Sequence, residues 1–394
     1  MKTKGIRTMK KIATAALAAA LAFAAQSETV VDVQRAGAEK TLFSVDVQGS
    51  PAFKSSLVKN LVLSGAFRLS APETASIKVT GATGAVVTAE GRGKKLSFQS
   101  KAADDKSARM EARMLADKMC ETYAKQKGFA CDMIAFVCKN GRSEELCTAY
   151  PDGADVRQLT QEGEGRACVG PRWKNKGAIF FTGYRNGAPQ VFEIPAAGGA
   201  PRLAWGFGGL TTGATVSPDG SRAAIIISKP FGNPELCTID LAGGTWNRLT
   251  TTRAANEGQP SWSPDGSKIV YVSDESRRQH LYIIDATTKA KRRITSSGTQ
   301  NVDPDWGPDG SIAYTTKRAG QSQIAVVGPA DGDKSARLVT QPGAWEHPTW
   351  TRDGRHLIAE RDGALFLVDT AEQGDEPRRL FTVKGRCITP AISR

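Results

Sequence analysis

The sequence predicts a small α/β domain followed by an all-β, six-bladed β-propeller that is closed by the C-terminal strand. Three observations carry that prediction. A Trp-Ser-Pro-Asp-Gly-like signal recurs at intervals of 43, 46, 44 and 44 residues. The first repeating unit lacks one strand, and the last residues of the chain match that strand alone. The residues ahead of the repeats, from 28 to about 130, do not share the period. A fixed period in this range marks a repeat architecture, and at this length a propeller blade.

The repeats come in graded form. Trp262-Ser263-Pro264-Asp265-Gly266, Trp306-Gly307-Pro308-Asp309-Gly310 and Trp350-Thr351-Arg352-Asp353-Gly354 are the clearest. Val216-Ser217-Pro218-Asp219-Gly220 is a variant, and Trp173-Lys174-Asn175-Lys176-Gly177 is decayed. In each unit a short strand runs into the turn, where Pro presets φ and Gly accepts φ > 0. An apolar strand follows, such as Lys268 to Ser273, then a third such as Leu281 to Asp285, then a last one ending near Thr250, Thr295, Thr340 or Thr382. Four antiparallel strands make one blade.

Five units begin at the signals at 173, 216, 262, 306 and 350. Before them, Ile134–Cys138, Leu146–Tyr150 and Arg157–Thr160 match strands two to four of a unit without a first strand. Thr389-Pro390-Ala391-Ile392-Ser393 matches a first strand, as comparison with Gln259–Ser263 and His347–Thr351 shows. The C-terminal strand therefore completes the incomplete blade. Six blades result, and closure pairs backbone edges that would otherwise invite aggregation.

The α/β region reads in order. Val30–Val33 and Thr41–Val47 are strand-like. Ser50-Pro51 is a helix start, with Ser as N-cap and Pro at the first helical position. Phe53, Leu57, Leu61 and Val62 follow at helical spacing and Gly65 stops the run. Strand-like pieces at 75–80, 84–90 and 94–100 precede a second helix from about Asp105 to Lys127. Its apolar stripe (Ala108, Ala112, Leu115, Met119, Tyr123) has the spacing of a core face.

The first 24 residues have the form of a signal peptide. Lys2, Lys4, Arg7, Lys10 and Lys11 form a basic start, Ile12–Leu21 an Ala-rich apolar run, and Ala22-Phe23-Ala24 an A-x-A cleavage site. The apolar run is well short of the ~20 residues needed to span a bilayer. The expected organisation is a signal peptide at 1–24, an α/β domain at 25–130 and the propeller at 131–394. Export to the periplasm as a monomer, with membrane association only through partners, is the matching expectation. Without the signal the net charge falls from +13 to +8. The remaining basic residues are scattered, with no stripe interleaved with aromatics, so nucleic acid is not an expected partner.

Seven cysteines lie beyond the signal, at 120, 131, 138, 147, 168, 237 and 387. None has C-x-x-C spacing, so no metal site is expected from them. Export permits disulfides. Cys138 and Cys147 flank a predicted hairpin, and Cys168 and Cys387 occupy matching positions five residues before Trp173 and Ile392. Both pairs are disulfide candidates, with buried free thiols as the alternative. The odd count leaves at least one thiol unpaired within a monomer.

The loops from the last strand of one blade to the first of the next gather on one rim of the channel, at 161–170, 206–214, 251–259, 296–303, 341–347 and 383–389. They carry Arg166, Asn256, Glu257, Gln300, Asn301, Trp345, Glu346, His347 and Arg386. Six convergent loops make a concave polar mouth suited to a protruding loop or peptide. These nine residues are the candidate partner-binding set. Catalysis has little support: there are three histidines, no G-x-S-x-G elbow and no cofactor motif. Asp303, Asp305 and Asp309 resemble a calcium loop only superficially, since prolines interrupt them and the terminal Glu is missing. An exported propeller lyase or hydrolase acting on a polysaccharide is the alternative, because paired carboxylates need not be close in sequence.

On these residues the chain resembles the TolB family of Gram-negative Tol–Pal systems. The resemblance rests on the exported start, the preceding α/β domain, the Leu61-Val62-Leu63-Ser64-Gly65-Ala66-Phe67-Arg68 helix end, the Trp-Ser-Pro-Asp-Gly blades and the C-terminal first strand. The strand Thr41–Val47, without flanking prolines, and the cysteine content depart from the family pattern. The resemblance implies a protein that is not an enzyme and has no cofactor. It implies a Pal-like lipoprotein bound at the propeller mouth and a TolA-like inner-membrane protein bound by the mature N-terminal segment. Here that segment is represented by Glu28, Val30, Val31, Asp32 and Val33. The role implied is maintenance of outer-membrane integrity and support of cell division.

Overall fold

The computed structural model describes residues 40–163, 166–185, 187–371 and 376–393. The expected signal segment, the strand-like Val30–Val33 and the expected partner segment from Glu28 to Val33 lie outside the described residues.

Thr41–Gln48 forms β1, the hub of a five-stranded sheet. It pairs in parallel with β2 (Phe67–Leu69) on one side and β3 (Ile77–Ala82) on the other. β4 (Val86–Gly91) and β5 (Lys94–Gln99) then add an antiparallel meander. Helix α1 (Pro51–Leu63) begins as expected: Ser50 is extended and its Oγ accepts from the Phe53 N–H, with Pro in the first turn. It ends where Gly65 turns at φ +71°. Helix α2 (Asp105–Met119) has a full capping box between Asp104 and Ser107. Phe53, Leu57 and Leu61 of α1 and Ala112, Leu115 and Met119 of α2 bury against Phe43, Val79 and Val87 of the sheet.

α2 is shorter than the apolar stripe predicts. α-Helical hydrogen bonding stops at Met119, a wider π-helical turn carries Cys120–Ala124, and Lys125 leaves at φ +55°. The stripe itself is kept, since Tyr123 still buries and its hydroxyl donates to Ala89 O at 2.6 Å. The wider turn preserves the burial pattern while the chain direction changes, and periodicity reports the first and not the second.

The remainder is six four-stranded antiparallel sheets. Blade 1 uses Ile134–Asn140, Ser143–Ala149 and Arg157–Gln158, with Arg386–Ile392 as its inner strand. The inner strands of blades 2 to 6 are Cys168–Asn175, Thr211–Val216, Glu257–Trp262, Gln300–Trp306 and Trp345–Trp350. The strand-count argument is thus met in the register: Cys387 faces Cys138 and Ile392 faces Ile134. Ser393 N–H donates to Met133 O at 2.8 Å and Met133 N–H to Ser393 Oγ at 2.9 Å. Trp173 of blade 2 ties the closing strand to the next blade, with Nε1–H donating to Ala391 O at 3.0 Å, as Trp262 of blade 4 does to Thr215 O of blade 3.

The Pro-Asp-Gly turns explain their own recurrence. The Ser263 hydroxyl donates to Asp265 Oδ1 at 2.6 Å, the same carboxylate accepts the Ser267 N–H at 3.0 Å, and Gly266 sits at φ +68°. Ser217 with Asp219 and Thr351 with Asp353 repeat the arrangement. These turns lie on the rim opposite the candidate mouth. The α/β layer meets the propeller on that rim, over blades 1 and 6. Ser56 and Asn60 of α1 donate to Asp152, and Arg378 donates to Val62 O at 3.0 Å. Among the described residues no helix is long and apolar enough to cross a membrane.

Candidate functional site

Each inner strand carries the same irregularity near its start. The ladder skips at Gly170-Pro171, Gly213-Ala214, Gln259-Pro260, Asp303-Pro304, His347-Pro348 and Thr389-Pro390. The first residue of each skipped pair is left-handed, with φ from +49° to +71°. A bulge of this kind bends a strand and re-aims one side chain. At these bulges, side chains from consecutive blades touch. Gln259 Nε2 donates to Asp303 Oδ1, and Asp303 N–H donates to Gln259 Oε1 at 2.9 Å. His347 Nε2 lies 3.7 Å from the same Asp303 oxygen. The Thr389 N–H donates to Glu360 Oε2 at 3.3 Å, and that oxygen is 3.2 Å from His347 Nδ1.

The six positions therefore form a ring that is polar on one side only. Blades 4, 5, 6 and 1 contribute Gln259, Asp303, His347 and Thr389, while blades 2 and 3 contribute glycine. A Cβ at Gly170 would meet nothing within 4 Å. His347 is the centre of the polar side. Burial works against its imidazolium, but Asp303, Glu360 and Glu346 outweigh burial and raise its pKa above the ordinary value. Glu346 stands directly across the strand pair from Glu360, and partial desolvation of its carboxyl, with the nearby Glu360 and Asp303 charges, raises its pKa. Two carboxylates facing each other repel unless a cation or proton lies between them. His347, when protonated, supplies one. The ligand atoms of Glu346, His347 and Glu360 all lie within 4.8 Å of one another, a spacing that also suits one metal cation.

The nine residues expected at the mouth separate into three groups. Glu346, Arg386 and Arg166 are exposed and His347 is half-buried, so these four remain available to a partner. Asn256 and Gln300 shape the rim: Asn256 Nδ2 donates to Asp274 Oδ2 at 2.9 Å and Gln300 Nε2 to Gln279 Oε1 at 2.6 Å. Glu257, Asn301 and Trp345 are buried and belong to the blades. Trp345 packs edge-on against Phe366 with Arg361 across its ring, so it is an anchor rather than a contact. Asn301 donates to His280 Nδ1 at 2.9 Å and to Ser297 O at 2.8 Å. Glu257 accepts from Thr252 Oγ1, and burial pushes its carboxyl up to about 7. Loop membership was a poor guide here, because the inner strand starts inside what reads as loop.

Gln259, Asp303, Thr389 and Glu360 were not expected at the site. Their signal was in the repeat register: each of the first three stands before Pro, at the position of His347 in its own blade. Glu360 carries no such signal, since only strand pairing brings it opposite Glu346. A separate cavity of about 590 Å³ lies at the Pro-Asp-Gly end of the channel, lined by Arg172, Trp173, Trp262, Asp305 and Trp306 among others.

Neither expected disulfide is formed; all seven cysteines are free thiols. The Cys168–Cys387 pairing is overturned by geometry. These are equivalent positions on neighbouring blades, and each side chain enters the interface with the preceding blade, so a whole sheet separates them. Cys387 packs with Leu365, Leu367 and Leu380, whereas Cys168 packs with Val137, Leu146 and Ile179. Cys138 and Cys147 share one face, but Cys147 stands opposite Phe136 and Cys138 opposite Glu145.

Comparison with known proteins agrees with the fold. The family profile described as the TolB beta propeller domain (PD40) matches residues 120–393. The Tol-Pal system protein TolB of Bordetella pertussis is 34% identical over 120 residues, which is 30% of this chain and 27% of that protein. The matched stretch thus spans about a quarter of that relative's length. The crystal structure of TolB from Acinetobacter baumannii superposes with a TM-score of 0.77, covering 92% of this chain and 98% of that one at 17% identity. A putative TolB from Agrobacterium tumefaciens gives a TM-score of 0.50 over 65% of this chain and 90% of its own, at 21% identity. The profile match covers well over half of the chain, so the chain belongs to the TolB β-propeller family.

Proposed function

We propose that this protein is the periplasmic propeller component of a Tol–Pal-type envelope system and acts by binding proteins, without catalysis. In this reading residues 1–24 direct export, the α/β domain spans 25–130 and the propeller 131–394. A Pal-like lipoprotein binds at the channel mouth. A TolA-like inner-membrane protein binds the segment containing Glu28, Val30, Val31, Asp32 and Val33. The assembly supports outer-membrane integrity and cell division. The observation that carries the reading is the lopsided mouth. Glu346, His347, Arg386 and Arg166 are accessible there, on the rim opposite the one that meets the α/β layer. A partner loop entering the mouth would find a polar wall at blades 4, 5, 6 and 1 and open space beside Gly170 of blade 2.

The test is calorimetry and co-elution of the mature protein with the Pal homologue from its own envelope. A dissociation constant between nanomolar and micromolar is expected. Absence of both heat and co-elution overturns the reading.

One observation favours a second reading, an exported propeller lyase or hydrolase. His347 lies between Asp303 and Glu360 in the channel, and a histidine among carboxylates in a cleft is the raw material of acid–base chemistry. Against it, Asp303 and Glu360 are committed to hydrogen bonds with Gln259, Thr315 and the Thr389 backbone. Release of unsaturated or reducing ends from uronate polysaccharides, lost on His347→Ala, would establish it.

A further inference from the structure

We propose that Cys138 and Cys387 form a disulfide that fastens the two strands on which the propeller closes. Among the described residues, blade 1 is the one blade assembled from distant parts of the chain, and its seam is the pairing of Ile134–Asn140 with Arg386–Ile392. Cys138 and Cys387 stand directly opposite each other in that antiparallel register. The Cys387 N–H is not spent on the seam; it donates to Gly363 O of blade 6 at 2.8 Å. The two cysteines are therefore a non-hydrogen-bonded pair, whose Cα atoms lie about 4.5 Å apart in such ladders. Disulfides need Cα atoms roughly 4.4–6.8 Å apart.

Both side chains enter the same cluster, between blades 6 and 1, with Cys147 as a third member. Cys147 is the competing partner, since its thiol sits beside Cys138. Its Cα is a diagonal neighbour, however, and diagonal pairs lie about 7–8 Å apart, beyond the bridging range. Geometry thus selects Cys387.

Access selects the order of events. Cys138 is half-exposed and its Sγ–H donates to Lys384 O at 3.3 Å, whereas Cys147 and Cys387 are buried. The Cys138 thiolate attacks one sulfur of an external disulfide donor, such as a dithiol–disulfide oxidoreductase. The donor S–S bond breaks, a mixed disulfide forms and the second donor sulfur leaves as a thiolate. Cys387 then gives up its proton and attacks the Cys138 sulfur, releasing the first donor sulfur. Two protein thiols are oxidised, one donor disulfide is reduced, and the donor takes up both protons. Burial raises the Cys387 thiol to about 12, so the second step is the slow one. The bond would lie one residue from Arg386 and hold the blade 1 edge of the mouth.

The experiment uses the full mature chain with oxidised glutathione as the donor, followed by alkylation under denaturing conditions and peptide mapping without reductant. A crosslink between the Cys138 and Cys387 peptides is expected. The melting temperature should rise by roughly 5–10 °C, because a link across so long a loop removes much unfolded-state entropy. Reductant should reverse the rise. Cys147→Ser should keep both the crosslink and the rise, and Cys387→Ser should lose both. Seven alkylated thiols in the treated wild-type protein, or a Cys138–Cys147 crosslink instead, would overturn the proposal. The wild-type map decides the matter even where a variant fails to fold.

Discussion

Arg113 of α2 grips Asp152 of the propeller through two hydrogen bonds, Nε to Oδ2 at 2.9 Å and Nη2 to Oδ1 at 3.0 Å. The Arg113 side chain is fully buried, its third nitrogen reaches Asp155 at 3.0 Å, and its guanidinium lies 3.8 Å over the Tyr150 ring. Asp152 is the aspartate of a Tyr150-Pro151-Asp152-Gly153 turn, so a residue type that merely forms turns elsewhere here ties two layers together. Ser56, Asn60 and the Ala154 N–H also donate to this carboxylate.

Arg113→Ala should therefore destabilise the protein by about 3–5 kcal/mol, since it leaves a buried carboxylate without its cation. Asp152→Asn should cost less. Burial opposes ionisation of Asp152, but Arg113 outweighs it and holds the pKa below the ordinary range. A depressed folded pKa means the contribution is present above the unfolded carboxylate pKa, about 3.9, and fades as pH falls through the lower folded value. Urea unfolding of wild type and variants from pH 2 to pH 7 measures both effects. Equal stability of Arg113→Ala and wild type at pH 7 would refute the account.

Glu257 should act with the opposite sign. Its carboxyl is raised to about 7, chiefly by burial. The stability it allows is complete below about 4.5 and declines as pH rises to about 7, by up to roughly 3 kcal/mol. Glu257→Gln should flatten that decline and make the variant the more stable protein at pH 8. Thermal melts at pH 4.5, 6 and 8 test it; parallel curves for the two proteins would contradict it.

At the mouth, His347→Ala and Glu346→Lys should each weaken binding of the Pal homologue by about tenfold or more, which corresponds to about 1.4 kcal/mol. Neither should shift the melting point by more than a few degrees. Lys95→Ala, an exposed change in the α/β sheet, serves as the control. Unchanged affinity in both mouth variants would move the partner site elsewhere.

Removing residues 386–394 should abolish monomeric folding. The deletion strips the inner strand of blade 1, leaving Ile134–Asn140 as an open edge next to apolar Ile358 and Leu365. Size-exclusion chromatography should find aggregate in place of monomer. A soluble monomer with native circular dichroism would show that the seam is dispensable.

Much of this was legible in the chain itself. Ser50, Pro51 and Gly65 bracket α1 because capping and left-handed turns are local chemistry. The blade count followed from comparing Thr389–Ser393 with Gln259–Ser263 and His347–Thr351, because the repeat encodes strand identity. The mouth was only half legible. Loop polarity singled out His347 and Glu346, which do face the channel, together with Asn301 and Trp345, which do not. Polarity cannot tell a solvated side chain from one satisfied inside a sheet.

The sequence by itself determined the architecture: strand order, turn type and closure follow from residues near one another or repeated at a fixed spacing. Tertiary structure decided which side chains meet. Only the register of the bulged inner strands brings Asp303, His347 and Glu360 together from different strands and blades. Only the seam sets Cys387 opposite Cys138 and places a sheet between Cys387 and Cys168. Local propensity is a property of a residue and its neighbours, whereas contact across a ring depends on how six sheets pack about one axis.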